Sequence, residues 1–142
     1  MAAKHRLTQA DYERLAEFRY RLRRFLVFSA RAAAQAGLTA QQHQALLAIK
    51  GGARRGRITM GTLAQRLGIR HHSAVGLVDR LASKHLVARR SGSDRREVLL
   101  VFTPKAEALL ARLSAAHRDE LRRLTPVLRL LIAHFGGPFR GT

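Results

Sequence analysis

The sequence contains no cysteine, few acidic residues and no long hydrophobic run. Without cysteine the chain cannot form disulfides, Cys-ligated zinc sites, thiol nucleophiles or thiol redox switches. No apolar stretch approaches the roughly 18 residues that span a membrane, and the N-terminus lacks the apolar core of a signal peptide. Three prolines and the absence of low-complexity tracts argue against pervasive disorder. We therefore expect one folded cytoplasmic domain with no membrane partner.

The nine acidic residues face 27 lysines and arginines, which gives 142 residues a formal net charge of +18. Residues 50–96 alone carry twelve of these cations and two acids. Such self-repulsion destabilises a compact chain, and a polyanionic partner relieves it. Because arginine fits phosphate oxygens and guanine edges well, the excess favours double-stranded DNA. A generally basic proteome would give the same bias without a partner, and a membrane surface would need an amphipathic helix that residues 50–96 lack.

The N-terminal part predicts one long helix. Thr8 with Asp11 is an N-cap signal, no Pro or Gly interrupts the chain as far as residue 35, and Gly37 offers a stop. About 28 helical residues would extend roughly 42 Å, further than the core of so small a domain. We therefore expect a partner chain to cover its apolar stripe, which comprises Tyr12, Leu15, Leu22, Phe25, Leu26 and Phe28.

Three shorter helices are predicted next, at residues 39–49, 59–68 and 71–83. Thr39 with Gln42 forms a capping box, Thr59 can cap the second helix, and Gly68 can close it. The glycine pair at 51–52 ends the first helix, and the Arg-rich stretch to residue 57 is expected to be a solvated loop. The predicted core positions are Leu46, Leu47, Ile49, Leu63, Ala64, Leu67, Ala74, Leu77, Val78 and Leu81.

A β-hairpin and two further helices complete the predicted order. Val- and Leu-rich runs at 86–90 and 97–102 flank Ser91-Gly92-Ser93-Asp94, a composition typical of a hairpin turn. The Thr-Pro pairs at 103–104 and 125–126 each combine an N-cap with the proline favoured at the first helical position. We therefore predict one helix at 104–124, another at 126–135, and a frayed tail over residues 136–142.

Two short helices, a glycine-containing turn and a hairpin together describe a winged helix-turn-helix. Its second helix enters the major groove of DNA while the first crosses the backbone. Gly76 costs that helix about 1 kcal/mol relative to alanine, which close approach to DNA or packing against another element would each explain. The predicted DNA-reading residues are Arg70, His71, His72, Ser73, Gly76 and Arg80, with phosphate contacts from Arg54, Arg55, Arg57, Lys84, Arg89 and Arg90.

Five segments resemble the MarR family of bacterial transcriptional regulators: LAQRLGI at 63–69, VDRL at 78–81, LVARR at 86–90, DRR at 94–96 and VLLVFTPK at 98–105. The resemblance covers about residues 20–125, and its strongest piece is Asp94-x-Arg96, seven residues before Thr103. Two positions depart from the family pattern. His85 and Ala106 stand where the family usually has glycine, and histidine tolerates positive φ better than most residues.

The resemblance implies an obligate homodimer that binds a pseudo-palindromic operator. Residues 1–36 and 104–135 would form the dimerisation helices, and residues 39–103 the DNA-binding lobe. Arg95 or Arg96 would enter the minor groove, whose negative potential attracts arginine, and Asp94 would brace that arginine.

The resemblance further implies a small-molecule effector site where the dimerisation helices meet the lobe. An anionic compound such as an aromatic carboxylate would suit the basic balance. Core packing is the alternative role for each aromatic side chain among the expected lining residues, which are Phe18, Arg21, Phe25, Phe28, His43 and Leu47.

Metal binding and catalysis find little support in the residue pattern. The seven histidines form no His-x-x-x-His or Glu-x-x-His pair on one helix, and no glycine-flanked serine forms a nucleophile elbow. We expect no metal, no cofactor and no enzyme activity.

The sequence therefore predicts a mainly α-helical domain with a short β-hairpin wing that regulates transcription, as a repressor, by binding specific DNA. Two alternatives remain. The +18 charge also suits an architectural, nearly sequence-nonspecific DNA-binding protein. A winged-helix protein-interaction module would instead use the charged helix face to bind acidic protein.

Overall fold

The structure, a computed structural model, describes residues 6–52, 57–94 and 96–136. Its elements are α1 (Gln9–Gln35), α2 (Ala40–Gly52), β1 (Arg57–Thr59), α3 (Met60–Leu67), α4 (His71–Ser83), β2 (Val87–Ser91), β3 (Val98–Phe102) and α5 (Pro104–Phe135). The predicted class, mainly α with a hairpin wing, is confirmed. Of the helices in the described ranges, none has an apolar stretch suited to crossing a membrane.

The described residues divide between two compact units. The central unit comprises residues 30–115 and holds the helix-turn-helix and the sheet. Among the described residues, the terminal unit comprises 6–29 and 116–136, which include residues 9–29 of α1 and residues 116–135 of α5. Both long helices thus run from one unit into the other.

The central unit folds around one hydrophobic core. Its three-stranded antiparallel sheet has the order β1-β3-β2, and Leu100 of β3 pairs with Ile58 on one side and Arg89 on the other. The predicted inner face of α4 is confirmed, because all four of its residues are buried. The largest fully buried side chains are Leu46, Ile49, Leu63, Leu77, Val78, Leu81, Leu86 and Leu100.

The predicted helix caps of the central unit are confirmed by their hydrogen bonds. The Thr39 N–H donates to Gln42 Oε1 and the Gln42 N–H donates to Thr39 Oγ1, both at 3.1 Å. Thr59 Oγ1 accepts from the Thr62 N–H at 3.0 Å, which caps α3. Each bond satisfies a backbone donor that the first helical turn leaves without an intrahelical partner.

Several sequence predictions were wrong. Leu47 was expected in the core but is 46% exposed, because Leu46 occupies the inner face of α2 and the next residue lies about 100° further round the helix. Leu67 is only partly buried. α2 ends at the glycine pair as predicted, but it includes both glycines and so extends three residues beyond the predicted last residue, Ile49. Arg57, predicted to lie in a solvated loop, begins the edge strand β1 instead, and Thr59 is both the last residue of that strand and the cap of α3.

The C-terminal region is one helix rather than the two predicted. α5 continues through Pro126 over 32 residues. Proline cannot donate to the carbonyl group four residues earlier. The residue before the proline, Thr125, donates from its hydroxyl to the Leu121 carbonyl oxygen at 3.1 Å. A Thr-Pro pair therefore marks a helix start at 103–104 but lies inside a helix at 125–126.

The terminal unit joins α1 and α5 through polar and aromatic contacts. His117 Nε2 lies 2.7 Å from Ser29 Oγ, and its ring meets Phe25 and Phe28 edge-on. Among the described residues on α1 and α5 or beside them, ten large apolar side chains stay exposed in the single chain: Leu7, Tyr12, Leu15, Tyr20, Leu26, Val27, Leu121, Leu130, Ile132 and Phe135.

Near the start of α1, Asp11 is held by two neighbours. The Thr8 N–H donates to its carboxylate at 2.7 Å, and the His134 ring, which also contacts Arg14, bonds the other carboxylate oxygen. The Thr8 backbone bond, followed by the His134 bond, lowers the pKa of Asp11 below its ordinary value.

Candidate nucleic-acid interface

The N-terminal half of α4 presents a polar, uncovered face. Arg70, the N-cap, is extended at φ −70° and ψ 154°, and its side chain makes no cap hydrogen bond. The first turn of α4 therefore keeps backbone donors and the positive end of the helix dipole for an external acceptor. The predicted reading residues Arg70, His71, His72, Ser73 and Arg80 are all exposed, while Gly76 is half-buried.

Gly76 meets no other element of the described chain closely enough to require glycine. A Cβ built on it would have one neighbour within 4 Å, Nη1 of Arg80 on the same helix, at 3.6 Å. That is an ordinary van der Waals distance to the end of a flexible side chain. Packing against the described residues therefore does not explain Gly76, and the prediction that an external molecule approaches closely here remains to be tested.

The turn of the wing is fixed around Asp94. Its Oδ1 accepts from the Arg96 N–H at 3.1 Å and its carbonyl oxygen from the Glu97 N–H at 2.9 Å. An aspartate that bonds the backbone two residues on is a local turn device. Asp94 therefore holds the backbone at Arg96, whose side chain is exposed. Arg95 lies outside the described residues.

The predicted phosphate contacts differ in their surroundings. Arg57 and Arg90 are exposed, whereas Arg89 donates to the carboxylate of Asp79 and so ties β2 to α4. Lys84 donates to two acceptors within the central unit. Arg54 and Arg55 lie outside the described residues.

One cleft is bordered by both α4 and the wing. Its volume is about 530 Å³, and its lining includes His71 at the start of α4 and Arg89, Asp94 and Arg96 of the wing. Sequence reasoning did not predict that Thr59, Met60 and Val98 also line this cleft. The wing approaches the start of α3 because β1 pairs with β3, a pairing of distant residues that leaves no local sequence signal.

The predicted effector residues fall in both units. Phe18, Arg21, Phe25 and Phe28 belong to the terminal unit, and buried His43 and exposed Leu47 to the central unit. Within the terminal unit, Glu17 accepts from Arg21 at 2.8 Å, which raises the pKa of Arg21. A cavity of about 50 Å³ there is lined by Arg21, Arg24, Phe25, Glu120, Arg123 and Leu124.

No group of three or more histidine and acidic side chains in the described ranges is arranged to hold a metal ion.

Known proteins resemble this chain both in the sequence of one segment and in overall fold. The sequence model of the MarR family matches residues 36–97, and this match confirms the resemblance over the helix-turn-helix and most of the wing. A search of curated proteins finds no match.

Three solved structures illustrate the shared fold. RV1404 from Mycobacterium tuberculosis is 22% identical with a TM-score of 0.72, covering 99% of this chain and 100% of its own. A cysteine-to-serine mutant of E. coli MarR in complex with operator DNA is 23% identical with a TM-score of 0.64, covering 76% of each chain. BpsR from Bordetella bronchiseptica, described by the regulation of its DNA binding by 6-hydroxynicotinic acid, is 22% identical with a TM-score of 0.63, covering 82% of this chain and 84% of its own.

Proposed function

We propose that this chain, whose residues 36–97 match the sequence model of the MarR family of transcriptional regulators, binds a pseudo-palindromic operator as a homodimer and represses transcription in the bacterial cytoplasm. One observation carries the proposal: His71 of α4 and Arg96 of the wing border the same cleft. The helix that would enter the major groove and the arginine that would enter the minor groove therefore lie on one side of the central unit.

We assign roles on this face from exposure and hydrogen bonding. His72, Ser73 and Arg80 would contact base edges. Arg57, Arg70 and Arg90 are exposed cations, and no ion pair between described residues involves them, so they would bind phosphates. Arg96 would enter the minor groove from a turn that Asp94 holds.

The exposed apolar surface of the terminal unit supports the homodimer. Its exposed apolar side chains would lose contact with water in a two-fold symmetric interface, a gain of roughly 25 cal/mol for each Å² buried. Two recognition helices in such a dimer would lie about 34 Å apart and enter successive major grooves on one face of the duplex.

We also propose that an aromatic carboxylate releases the DNA. The description of BpsR supports this ligand class, and so does the positive charge of the chain. The ligand would act by binding more tightly to a dimer whose recognition helices do not match the groove spacing. Thermal unfolding and operator titration test this proposal. Aromatic carboxylates should raise the melting temperature of the protein and lower its operator affinity. If no compound in a broad panel changes either quantity, the proposed ligand class is wrong.

Selection from random duplexes tests the central proposal. Purified protein should enrich a palindromic sequence and protect it in a footprint, with half-sites about one helical turn apart. Uniform coating of every duplex would favour the architectural alternative. Weak binding to all duplexes at physiological salt would favour the protein-interaction module. Light scattering at micromolar concentration should give twice the 15.8 kDa chain mass.

A further inference from the structure

Lys84 joins four elements at the end of the recognition helix. It is the residue that follows α4, and its Nζ donates to the Gly37 carbonyl oxygen, just beyond α1, at 2.6 Å. The same Nζ donates to Oε1 of Gln42 in α2 at 2.9 Å. In the opposite direction, the Lys84 carbonyl oxygen accepts from Nζ of Lys105 in the first turn of α5, also at 2.9 Å.

Both acceptors of the Lys84 ammonium are fixed in place. Gln42 is 4% exposed, and its Oε1 also accepts from the Thr39 N–H in the capping box of α2. Gly37 has φ +79°, the left-handed conformation that ends α1. An ammonium group at this point also meets the negative end of the α1 dipole. The position of Nζ is therefore determined from two directions.

The backbone around Lys84 is equally constrained. The His85 N–H donates to the Ala82 carbonyl oxygen at 2.9 Å, and the Leu86 N–H to that of Leu81 at 3.0 Å, so the helix ends in a Schellman motif. Thr103, the residue before α5, donates from its hydroxyl to the His85 carbonyl oxygen at 2.7 Å. The C-terminal end of α4 cannot rotate without breaking these bonds.

We propose that Lys84 is a positioning residue that fixes α4 to the ends of α1 and α5, and that it does not bind phosphate. An ammonium group has three protons, and two of them already have protein acceptors. This inference rests on the proposed function for its consequence: in the homodimer, the direction of α4 relative to the two long helices would set the operator spacing that the protein accepts.

The replacement Lys84→Met tests the inference, because it removes the ammonium and keeps the length of the side chain. The matched control is Arg90→Met, at an exposed residue of the wing. Affinity for duplex DNA is measured across a salt series. Arg90→Met should reduce the slope of log affinity against log salt by about 0.9, the contribution of one phosphate contact. Lys84→Met should leave that slope at the wild-type value.

Spacing preference is the readout that a general loss of stability would not change. The selected operator is compared with duplexes whose half-sites are one base pair closer or further apart. Lys84→Met should reduce the wild-type preference for native spacing by about tenfold, a typical size for the coupling between contacting groups. Gln42→Glu, which gives Lys84 a carboxylate partner, should keep that preference. A slope lowered by about 0.9 with the spacing preference intact would overturn the inference.

A measurement without DNA separates this inference from the proposed function. Lys84→Met and Gln42→Met are combined in a double-mutant cycle of urea unfolding, where we expect the pair to be coupled. If the two substitutions change the free energy of unfolding additively, the positioning role of Lys84 is wrong. If Lys84→Met does not fold, Gln42→Met alone should reduce the spacing preference by removing the acceptor. If the wild-type protein shows no sequence preference, the proposed function is wrong but the inference about Lys84 is still tested. The double-mutant cycle needs no DNA, and the slope of log affinity against log salt can be measured on any duplex.

Discussion

Replacing Gly76 with alanine should change stability and DNA affinity in opposite directions. The free energy of unfolding should rise by about 0.5–1 kcal/mol, because alanine is the better helix former and loses less backbone freedom on folding. A steric clash would usually offset this gain, but the structure shows none among the described residues. The Cβ of an alanine at position 76 would meet only the Arg80 guanidinium, at 3.6 Å, and that side chain is exposed and flexible.

The same methyl group should weaken operator binding. If the α4 backbone at Gly76 lies against base edges, the added atom occupies space that the closest approach requires. An overpacked interface of this kind costs typically about 1–3 kcal/mol, which corresponds to roughly five- to 150-fold in affinity.

The assay combines urea unfolding with fluorescence titration of a labelled operator. Gly51→Ala is the matched control, because Gly51 lies in α2 and a Cβ there meets nothing within 4 Å. Both variants should be stabilised, and only Gly76→Ala should lose affinity. Wild-type affinity in Gly76→Ala would refute the close approach, and a fall in its stability would show that another packing contact requires glycine.

Three further predictions concern the wing, the turn after α4 and the start of α1. Arg96→Ala should weaken specific operator binding by about 1–3 kcal/mol, and unchanged affinity at moderate salt would contradict its minor-groove role. His85→Gly should raise the free energy of unfolding by about 1 kcal/mol, because His85 has φ 57°; a fall in the urea midpoint would be the opposite result. The pKa of Asp11 is lower in the folded protein than in the unfolded chain, so the stability it contributes is present above its unfolded pKa and disappears as pH falls through the folded one. The difference in melting temperature between wild type and Asp11→Asn should therefore shrink on acidification, and a difference that is constant with pH would contradict this.

Features with short-range signals were predicted from the sequence. The inner face of α4 follows from the spacing of its four apolar residues, and all four are buried. The capping residues Thr39 and Thr59 were found because a cap bonds to a backbone group two or three positions away. The hairpin was predicted from the turn composition between its strands, and the structure shows these strands, β2 and β3, paired antiparallel.

Features that depend on distant residues were missed. A strand of three residues shows no periodicity, and β1 exists because β3, about 40 residues later, pairs with it. The hydrogen bonds of Lys84 are another such feature, since the sequence does not show that Gly37 and Gln42 lie within reach of its ammonium. The continuation of α5 through Pro126 is a further case, because the favourable packing of a long helix can exceed the roughly 3 kcal/mol that an internal proline costs.

The pair between Asp79 and Arg89 has a consequence for how the protein would search DNA. Asp79 is the one acidic residue of α4, and its carboxylate shares a hydrogen bond with a guanidinium of the wing. If a DNA phosphate draws Arg89 away, the carboxylate of Asp79 is left without its partner beside the negatively charged DNA. Complexes that break this pair would therefore be less stable than a complex that keeps it. The protein would therefore leave unselected duplex quickly despite its +18 charge, and its residence time would be longest where the helix and the wing are both fully seated.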